Sequence, residues 1–262
     1  MDTTNFAILV VVAALAGVIA GWISARRAGK EPVIVVDAGT AALVMGLIVG
    51  RIFYIVTPPP SAAPFYTRAW YFSHPLDLLA GPVAIWNGGL GPAGALVGAA
   101  IGALIVLREK GVDVWEWADI LLPGALTAAI LLPWANVLEG QMLGPATSLP
   151  WGISAGGQMV QPTPAYVSLW ALLVAAGALV ARRRGIGAGW AAGTWSAVCW
   201  AALLAGLFLA DLLRSDASRP LLGLSGMQIL CILAEIGLAA LLWRRLGTPP
   251  GTTADVPKFT QN

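Results

Sequence analysis

Long apolar runs recur along the chain, and they constrain its fold more than any other feature. The 262 residues are 58% hydrophobic and 11% charged, whereas a soluble domain typically has about 25% charged residues. An apolar run of about 17–25 residues is long enough to cross a bilayer as a helix. Seven such runs are present: Phe6–Ser24, Ile34–Val56, Gly88–Leu107, Trp115–Leu132, Ala165–Ala181, Gly189–Ala210 and Ser225–Trp243. The sequence therefore predicts an all-α integral membrane protein, with one seven-helix transmembrane domain over residues 1–247 and a disordered tail over residues 248–262.

The basic residues indicate how this bundle is oriented. With seven spans, one side of the membrane receives Arg26, Arg27, Lys30, Arg108, Lys110, Arg182, Arg183, Arg184, Arg244, Arg245 and Lys258. The other side receives Arg68, Arg214 and Arg219, and Arg51 lies within a span. Because basic loops stay cytoplasmic, we expect the N-terminus outside and the C-terminus inside.

Three segments on the predicted outer side are irregular. They cover residues 57–84, 133–164 and 211–224, and the first is rich in proline and aromatic residues. We expect short extracytoplasmic arms there, because proline interrupts a helix. The segment Pro133–Ile153 (PWANVLEGQMLGPATSLPWGI) combines polar residues with helix breakers immediately after an apolar run. Irregular polar backbone survives at membrane depth only where protein or water surrounds it, so this segment predicts the wall of a site.

Three polar side chains are the main candidates for chemistry. Glu139 is the best acid–base candidate, and its alternative role is that of a hydrogen-bonded loop residue. Arg51 either extends its charge to the outer headgroups or binds phosphate, which matches a guanidinium fork. Arg214 is a second phosphate candidate, and its alternative is a surface arginine paired with Asp211 or Asp216.

Other features favour structural roles. Gly94, Gly98 and Gly102 form a small-residue face in the third span, which favours close helix packing over a substrate groove. Two cysteines inside apolar runs and one histidine, His74, predict neither a disulfide framework nor a metal site. We expect Asp37 and Asp119 to cap helices or to contact basic loops, and Glu235 to pair within the bundle.

Several motifs resemble the bacterial prolipoprotein diacylglyceryl transferases. WANVLEGQMLGPATSLPWGI (residues 134–153) is similar to the signature RIGNFxNGExxGxPTxLPWG, and IWNGGLGPAGALVG (residues 85–98) to the tryptophan–glycine–glycine segment that precedes a histidine motif. QPTPAY, GRIFY, LLRSD and LSGMQIL resemble further segments of that family in the same order. The resemblance implies seven spans in a bacterial plasma (inner) membrane.

The resemblance also implies an activity. Family members move a diacylglyceryl group from phosphatidylglycerol to the cysteine thiol of a lipoprotein precursor, so these two molecules are the implied partners, with no nucleic acid and no cofactor. It implies a catalytic role for Asn136 and substrate-binding roles for Arg51, Arg214, Gly144 and Tyr166. Gln141 takes the place of the signature glutamate and is kept among the substrate-binding candidates, with Glu139 as the catalytic base.

The chain departs from the family pattern at reactive positions. The family histidine falls on Ala93, the signature arginine on Pro133, the first-span tyrosine on Phe6, and the acid after the QLY segment on Val167. The first hypothesis is therefore a divergent diacylglyceryl transferase, and the alternative is a paralogue that binds phospholipid or a membrane partner without transfer. A small transporter is a third hypothesis, ranked last because no inverted repeat is visible.

Overall fold

A computed structural model of the chain describes residues 3–58, 67–75, 77, 81–83, 89–219 and 221–246, with the side chains of residues 3–7 left aside. The helices are α1 (Thr3–Arg27), α2 (Val33–Val56), α3 (Arg68–Ser73), α4 (Pro92–Glu109), α5 (Val114–Leu131), α6 (Pro133–Glu139), α7 (Thr163–Arg183), α8 (Thr194–Leu212) and α9 (Gly226–Leu246). One antiparallel hairpin pairs β1 (Ile153–Ala155) with β2 (Gln158–Val160).

Within this described part, seven helical stretches are long and apolar enough to cross a membrane. They are α1, α2, α4, α5 extended by α6, α7, α8 and α9. The predicted all-α, seven-helix membrane protein is confirmed. The side of the membrane on which each terminus lies stays a prediction.

The predicted boundaries were wrong at two places. The helix that begins in α5 continues through Pro133 to Glu139, because proline is tolerated at the first helical position. The irregular segment therefore begins only at Gly140, which ends α6 in the left-handed conformation with φ 65°. The sixth span begins at Thr194 rather than Gly189, because the Asp119 carboxylate on α5 accepts hydrogen bonds from the Gly193 and Ser196 amides at 2.7 Å. Asp119 thus caps α8, as predicted.

The glycine face of α4 packs against α2. A Cβ at Gly98 would lie within 3.0 Å of the Met45 carbonyl oxygen, and one at Gly102 would contact the Ala41 carbonyl equally closely. Only glycine allows the two backbones to approach this far. The packing interpretation of this face is confirmed.

The two ends of the helix bundle differ in charge and in backbone structure. We call the basic end the one where α1, α4, α7 and α9 finish and α2, α5 and α8 begin. It is tied together by ion pairs between Lys30 and Glu116 at 2.8 Å and between Lys110 and Asp37 at 2.7 Å. The opposite, irregular end carries the hairpin and the connection between α8 and α9, and it holds the candidate site.

Candidate lipid site at the irregular end

The irregular segment folds back on the hairpin. The amide of Gly144 donates to the carbonyl of Gln161 at 2.9 Å, and the amide of Thr147 donates to that of Met159 at 2.8 Å. Ala146 forms an isolated antiparallel bridge with Val160. Residues 144–147 therefore run alongside β2, and these hydrogen bonds satisfy backbone groups that a bilayer could not.

A buried charged cluster lies at the end of α8, and we call it the Arg214 centre (Asp211, Arg214, Asp216, Ser225 and Gln228). The Arg214 guanidinium contacts Asp211 through Nη1 and Asp216 through Nε, both at 3.0 Å, and its side chain is only 11% exposed. The other oxygen of Asp211 accepts a hydrogen bond from the Ser225 hydroxyl. The Ser225 amide donates to Gln228 Oε1 at 3.0 Å, which fixes the start of α9.

This centre holds the irregular segment in place. The Met142 amide donates to Asp216 at 3.2 Å, and the Ser215 hydroxyl donates to the Leu143 carbonyl at 2.9 Å. At Gly144 a Cβ would lie 2.8 Å from Thr163 Oγ1 and 3.1 Å from the Leu213 carbonyl oxygen, so the close approach requires glycine. The structure thus brings together two predicted site residues, Gly144 and Arg214.

A small cavity of about 30 Å³ adjoins the centre. Asp211, Arg214, Thr163 and Val167 line it together with Met142, Pro164, Leu207, Ala210 and Met227. Among the described residues that line this cavity, Thr163 has its Oγ1 buried without a hydrogen-bond partner. Buried polar groups are normally satisfied, so this position offers hydrogen-bonding capacity to a small polar group.

A second cavity of about 520 Å³ lies on the other side of the first turn of α7. Its lining is almost entirely apolar and consists of Trp134, Val137, Trp151, Ile153, Pro162, Ala165, Tyr166 and Leu169. Trp151 donates from Nε1 to the Tyr166 hydroxyl at 2.9 Å, and Trp134 donates to the Ser168 hydroxyl at 3.0 Å. Trp151 and Leu169 are more than half exposed, so the cavity opens sideways from the bundle. Tyr166, a predicted site residue, lies in this cavity.

The other predicted residues of the segment lie apart from these bonds. Asn136 and Glu139 are half-buried on α6, and Gln141 is exposed after it. Their side chains form no hydrogen bond or ion pair within the described residues, although the Asn136 carbonyl accepts the Gln141 amide at 2.9 Å. Their assignment to catalysis and substrate binding therefore stays a prediction.

Arg51 is buried rather than extended to the surface. It is 5% exposed, and its guanidinium donates to the carbonyls of Pro82 at 2.9 Å and of Gly81 and Gly89 at 3.0 Å. The rings of Tyr54 and Tyr71 lie about 5.5 Å from it. These described contacts fasten the segment before α4 to α2, and they include no member of the Arg214 centre.

Comparison with known proteins shows the family of the chain. The sequence model described as "Prolipoprotein diacylglyceryl transferase" matches residues 2–244. The chain belongs to the prolipoprotein diacylglyceryl transferase family.

Relatives with this activity in their names match parts of the chain. The phosphatidylglycerol–prolipoprotein diacylglyceryl transferase of Leifsonia xyli is 37% identical over 116 residues, which cover 42% of this chain and 33% of the relative. That of Methylocella silvestris is 32% identical over 121 residues, covering 42% and 40%, and that of Frankia alni is 28% identical over 123 residues, covering 47% and 30%. The chain thus spans about a third of the length of the curated relatives it matches.

At three positions where the resemblance places reactive family residues, this chain has side chains without an acid–base group. Ala93, at the place of the histidine, is buried in an apolar cluster with Leu204, Met227 and Cys231. Pro133, at the place of the arginine, begins α6, and Val167 faces the small cavity. No proton can be exchanged at any of these three side chains.

Sequence reasoning did not predict four of the five members of the Arg214 centre as site residues. Asp211 and Asp216 were considered only as alternative partners of Arg214, and that pairing is confirmed for both. Neither Ser225 nor Gln228 was predicted as a site residue. The Gln228 side chain is fully buried, at 0% exposure. The position of these polar residues at the ends of apolar runs could have indicated the cluster, because a polar group at membrane depth needs a partner.

Proposed function

We propose that this chain is a diacylglyceryl transferase that acts on phosphatidylglycerol and on the cysteine thiol of a lipoprotein precursor. One observation carries the proposal: the charged Arg214 centre and the apolar cavity adjoin across the first turn of α7. Thr163 and Val167 line the small cavity beside the Arg214 centre. Ala165, Tyr166 and Leu169 line the apolar cavity. An anionic phospholipid needs both environments, a cation for its phosphate and an apolar surface for its acyl chains.

The reaction assigns a role to each part. The thiol loses its proton, a carbon–sulfur bond forms to the glycerol carbon of the diacylglyceryl group, and the bond from that carbon to the phosphate oxygen breaks, so that glycerol phosphate leaves. Arg214 stabilises the charge of the leaving phosphate. The Asp216 carboxylate, which contacts Nε of Arg214, is a third exposed, so phosphate can displace it from that side of the guanidinium. Glu139, half-exposed at the end of α6, is the proposed base for the thiol.

A second candidate is phospholipid binding without transfer. The specific observation that favours it is the apolar environment of Ala93, where the family has a histidine. On this alternative the cavity and the Arg214 centre still bind phosphatidylglycerol. We place either activity in the bacterial plasma membrane, with the irregular end outside.

The test is transfer to a lipobox peptide by the full chain in phosphatidylglycerol liposomes, measured as the mass gain of one diacylglyceryl group. We expect product with the unchanged protein and a fall of about 10²–10³-fold for Arg214→Gln, which removes the phosphate cation. Arg219→Gln is the matched control, because Arg219 is an exposed arginine of the same connection whose bonds among the described residues are to backbone carbonyls, at 3.4 Å.

Three outcomes separate the candidates, provided that the melting curve shows folded protein. Product that depends on Arg214 supports transfer. Retention of phosphatidylglycerol without product contradicts transfer and supports binding alone. Neither product nor lipid retention contradicts both.

A further inference from the structure

The basic end of the molecule is divided into two halves with different charge balance. The half formed by the ends of α1, α2, α4 and α5 contains five basic residues, Arg26, Arg27, Lys30, Arg108 and Lys110. It also contains five acidic residues, Glu31, Asp37, Glu109, Asp113 and Glu116. The five positive and five negative charges balance, and ion pairs join Lys30 to Glu116 and Lys110 to Asp37, so this half is close to neutral.

The other half is purely basic. Residues 174–200 and 239–246, which surround the ends of α7 and α9 and the start of α8, contain five arginines and no acidic residue. We call Arg182, Arg183, Arg184, Arg244 and Arg245 the arginine patch. The Asp119 carboxylate on α5 already accepts hydrogen bonds from two backbone amides at the start of α8.

Tryptophan rings join the members of the patch into one surface. The Arg182 guanidinium lies 5.4 Å from the centre of the Trp195 ring, and Trp190 packs on Trp195 with ring centres 5.0 Å apart. From the other side, Arg245 lies 4.2 Å from the Trp115 ring and donates to the carbonyl of Ala192. The connection between α7 and α8 is thus held between two arginines from different helices.

Two guanidinium groups on this surface are available. The side chains of Arg183 and Arg184 are exposed and have no hydrogen-bond or ion-pair partner within the described residues. Immediately before the arginines, α7 exposes Leu179 and Val180, and α9 exposes Trp243 to 84%. Because such apolar side chains of a membrane protein face lipid, the arginines that follow them lie at the level of the headgroups.

We propose that the arginine patch binds the phosphate groups of anionic phospholipids in the adjoining leaflet. A guanidinium binds phosphate through two parallel hydrogen bonds, which lysine cannot reproduce, and the patch contains only arginine. Basic pockets between membrane helices bind lipid headgroups in this way. The length of α8 separates the patch from the Arg214 centre by roughly 27 Å, so this site is independent of the proposed transfer.

The test compares two double variants of the full chain in detergent. The first, Arg183→Gln with Arg184→Gln, removes the two available groups. The control, Arg26→Gln with Arg27→Gln, removes two adjacent arginines from the balanced half of the same end. Lipid binding is measured by mass spectrometry of the intact complex, with phosphatidylserine against phosphatidylcholine, so that the proposed transfer substrate is absent.

We expect the unchanged protein to prefer phosphatidylserine, and the patch variant to bind it more weakly by on the order of five-fold per arginine. The control should change by less than about two-fold, and added salt should weaken the preference of the unchanged protein. Arg183→Lys with Arg184→Lys should keep part of the preference, which separates lost charge from misfolding.

Three results would overturn the proposal. They are the absence of any preference for phosphatidylserine in the unchanged protein, an equal loss in the two glutamine variants, and displacement of phosphatidylserine by RNA or by an acidic peptide at lower concentration than by lipid.

Discussion

Replacing Asp211 by alanine is expected to lower the free energy of unfolding by about 3–5 kcal/mol, because breaking a buried ion pair leaves the other charge uncompensated. Asp211 is 3% exposed, accepts the Ser225 hydroxyl and pairs with Arg214 at 3.0 Å. Its loss therefore removes the contact between the end of α8 and the start of α9, together with one of the two carboxylate partners of Arg214. The measurement is a denaturant titration of the purified protein in mixed micelles, followed by circular dichroism.

Asp216→Ala is the matched control for this prediction. Asp216 also contacts Arg214 at 3.0 Å, but its side chain is a third exposed. We expect this variant to cost about 1 kcal/mol, since exposed ion pairs contribute little. Equal losses for the two variants would show that the burial of Asp211 does not matter.

Replacing Gly98 by valine is the second substitution with a large expected effect. A Cβ at this position would lie within 3.0 Å of the Met45 carbonyl oxygen and would also press on the Val49 side chain. The obstacle is backbone rather than the flexible end of a side chain, so α2 and α4 must move apart. We expect a loss of about 3 kcal/mol, at the upper end of the range for overpacked interiors, measured by the same titration.

Gly177→Val on α7 is the control for crowding. A Cβ at Gly177 has no neighbouring atom within 4 Å. We expect its stability to change by less than about 1 kcal/mol, which is the range of helix propensity differences. If Gly98→Val were as harmless as Gly177→Val, the close packing of α2 on α4 would be refuted.

Much of the fold was predictable because bilayer thickness fixes the length of an apolar span. The errors fell where hydropathy gives no information. Residues 185–193 are apolar and glycine-rich, so the sixth span was extended backwards, although Asp119 from another helix determines where α8 begins. The fourth span was predicted to end at Leu132, but Pro133 at the first position of α6 removes no hydrogen bond and the helix continues.

The candidate site was predictable only in part. The pairing of Arg214 with Asp211 and Asp216 could be proposed because the three residues are neighbours in sequence. The described partners of Arg51 could not, since the carbonyls of Gly81, Pro82 and Gly89 belong to the backbone and carry no side-chain signature. Both cavities depend on how the first turn of α7 packs against distant segments, which the sequence pattern does not reveal. The outer arm over residues 57–84 lies partly outside the described residues.

The most direct test of the central claim, that one phospholipid occupies both sides of the first turn of α7, is photo-crosslinking. Phosphatidylglycerol with a photoreactive acyl chain is incorporated into liposomes with the full chain, and the labelled peptides are identified by mass spectrometry. We predict adducts within residues 134–137, 151–153 and 162–169, suppressed by excess unlabelled phosphatidylglycerol but not by phosphatidylcholine. Adducts spread over lipid-facing surfaces such as the exposed face of α1, with no enrichment at the cavity and no competition, would contradict the account.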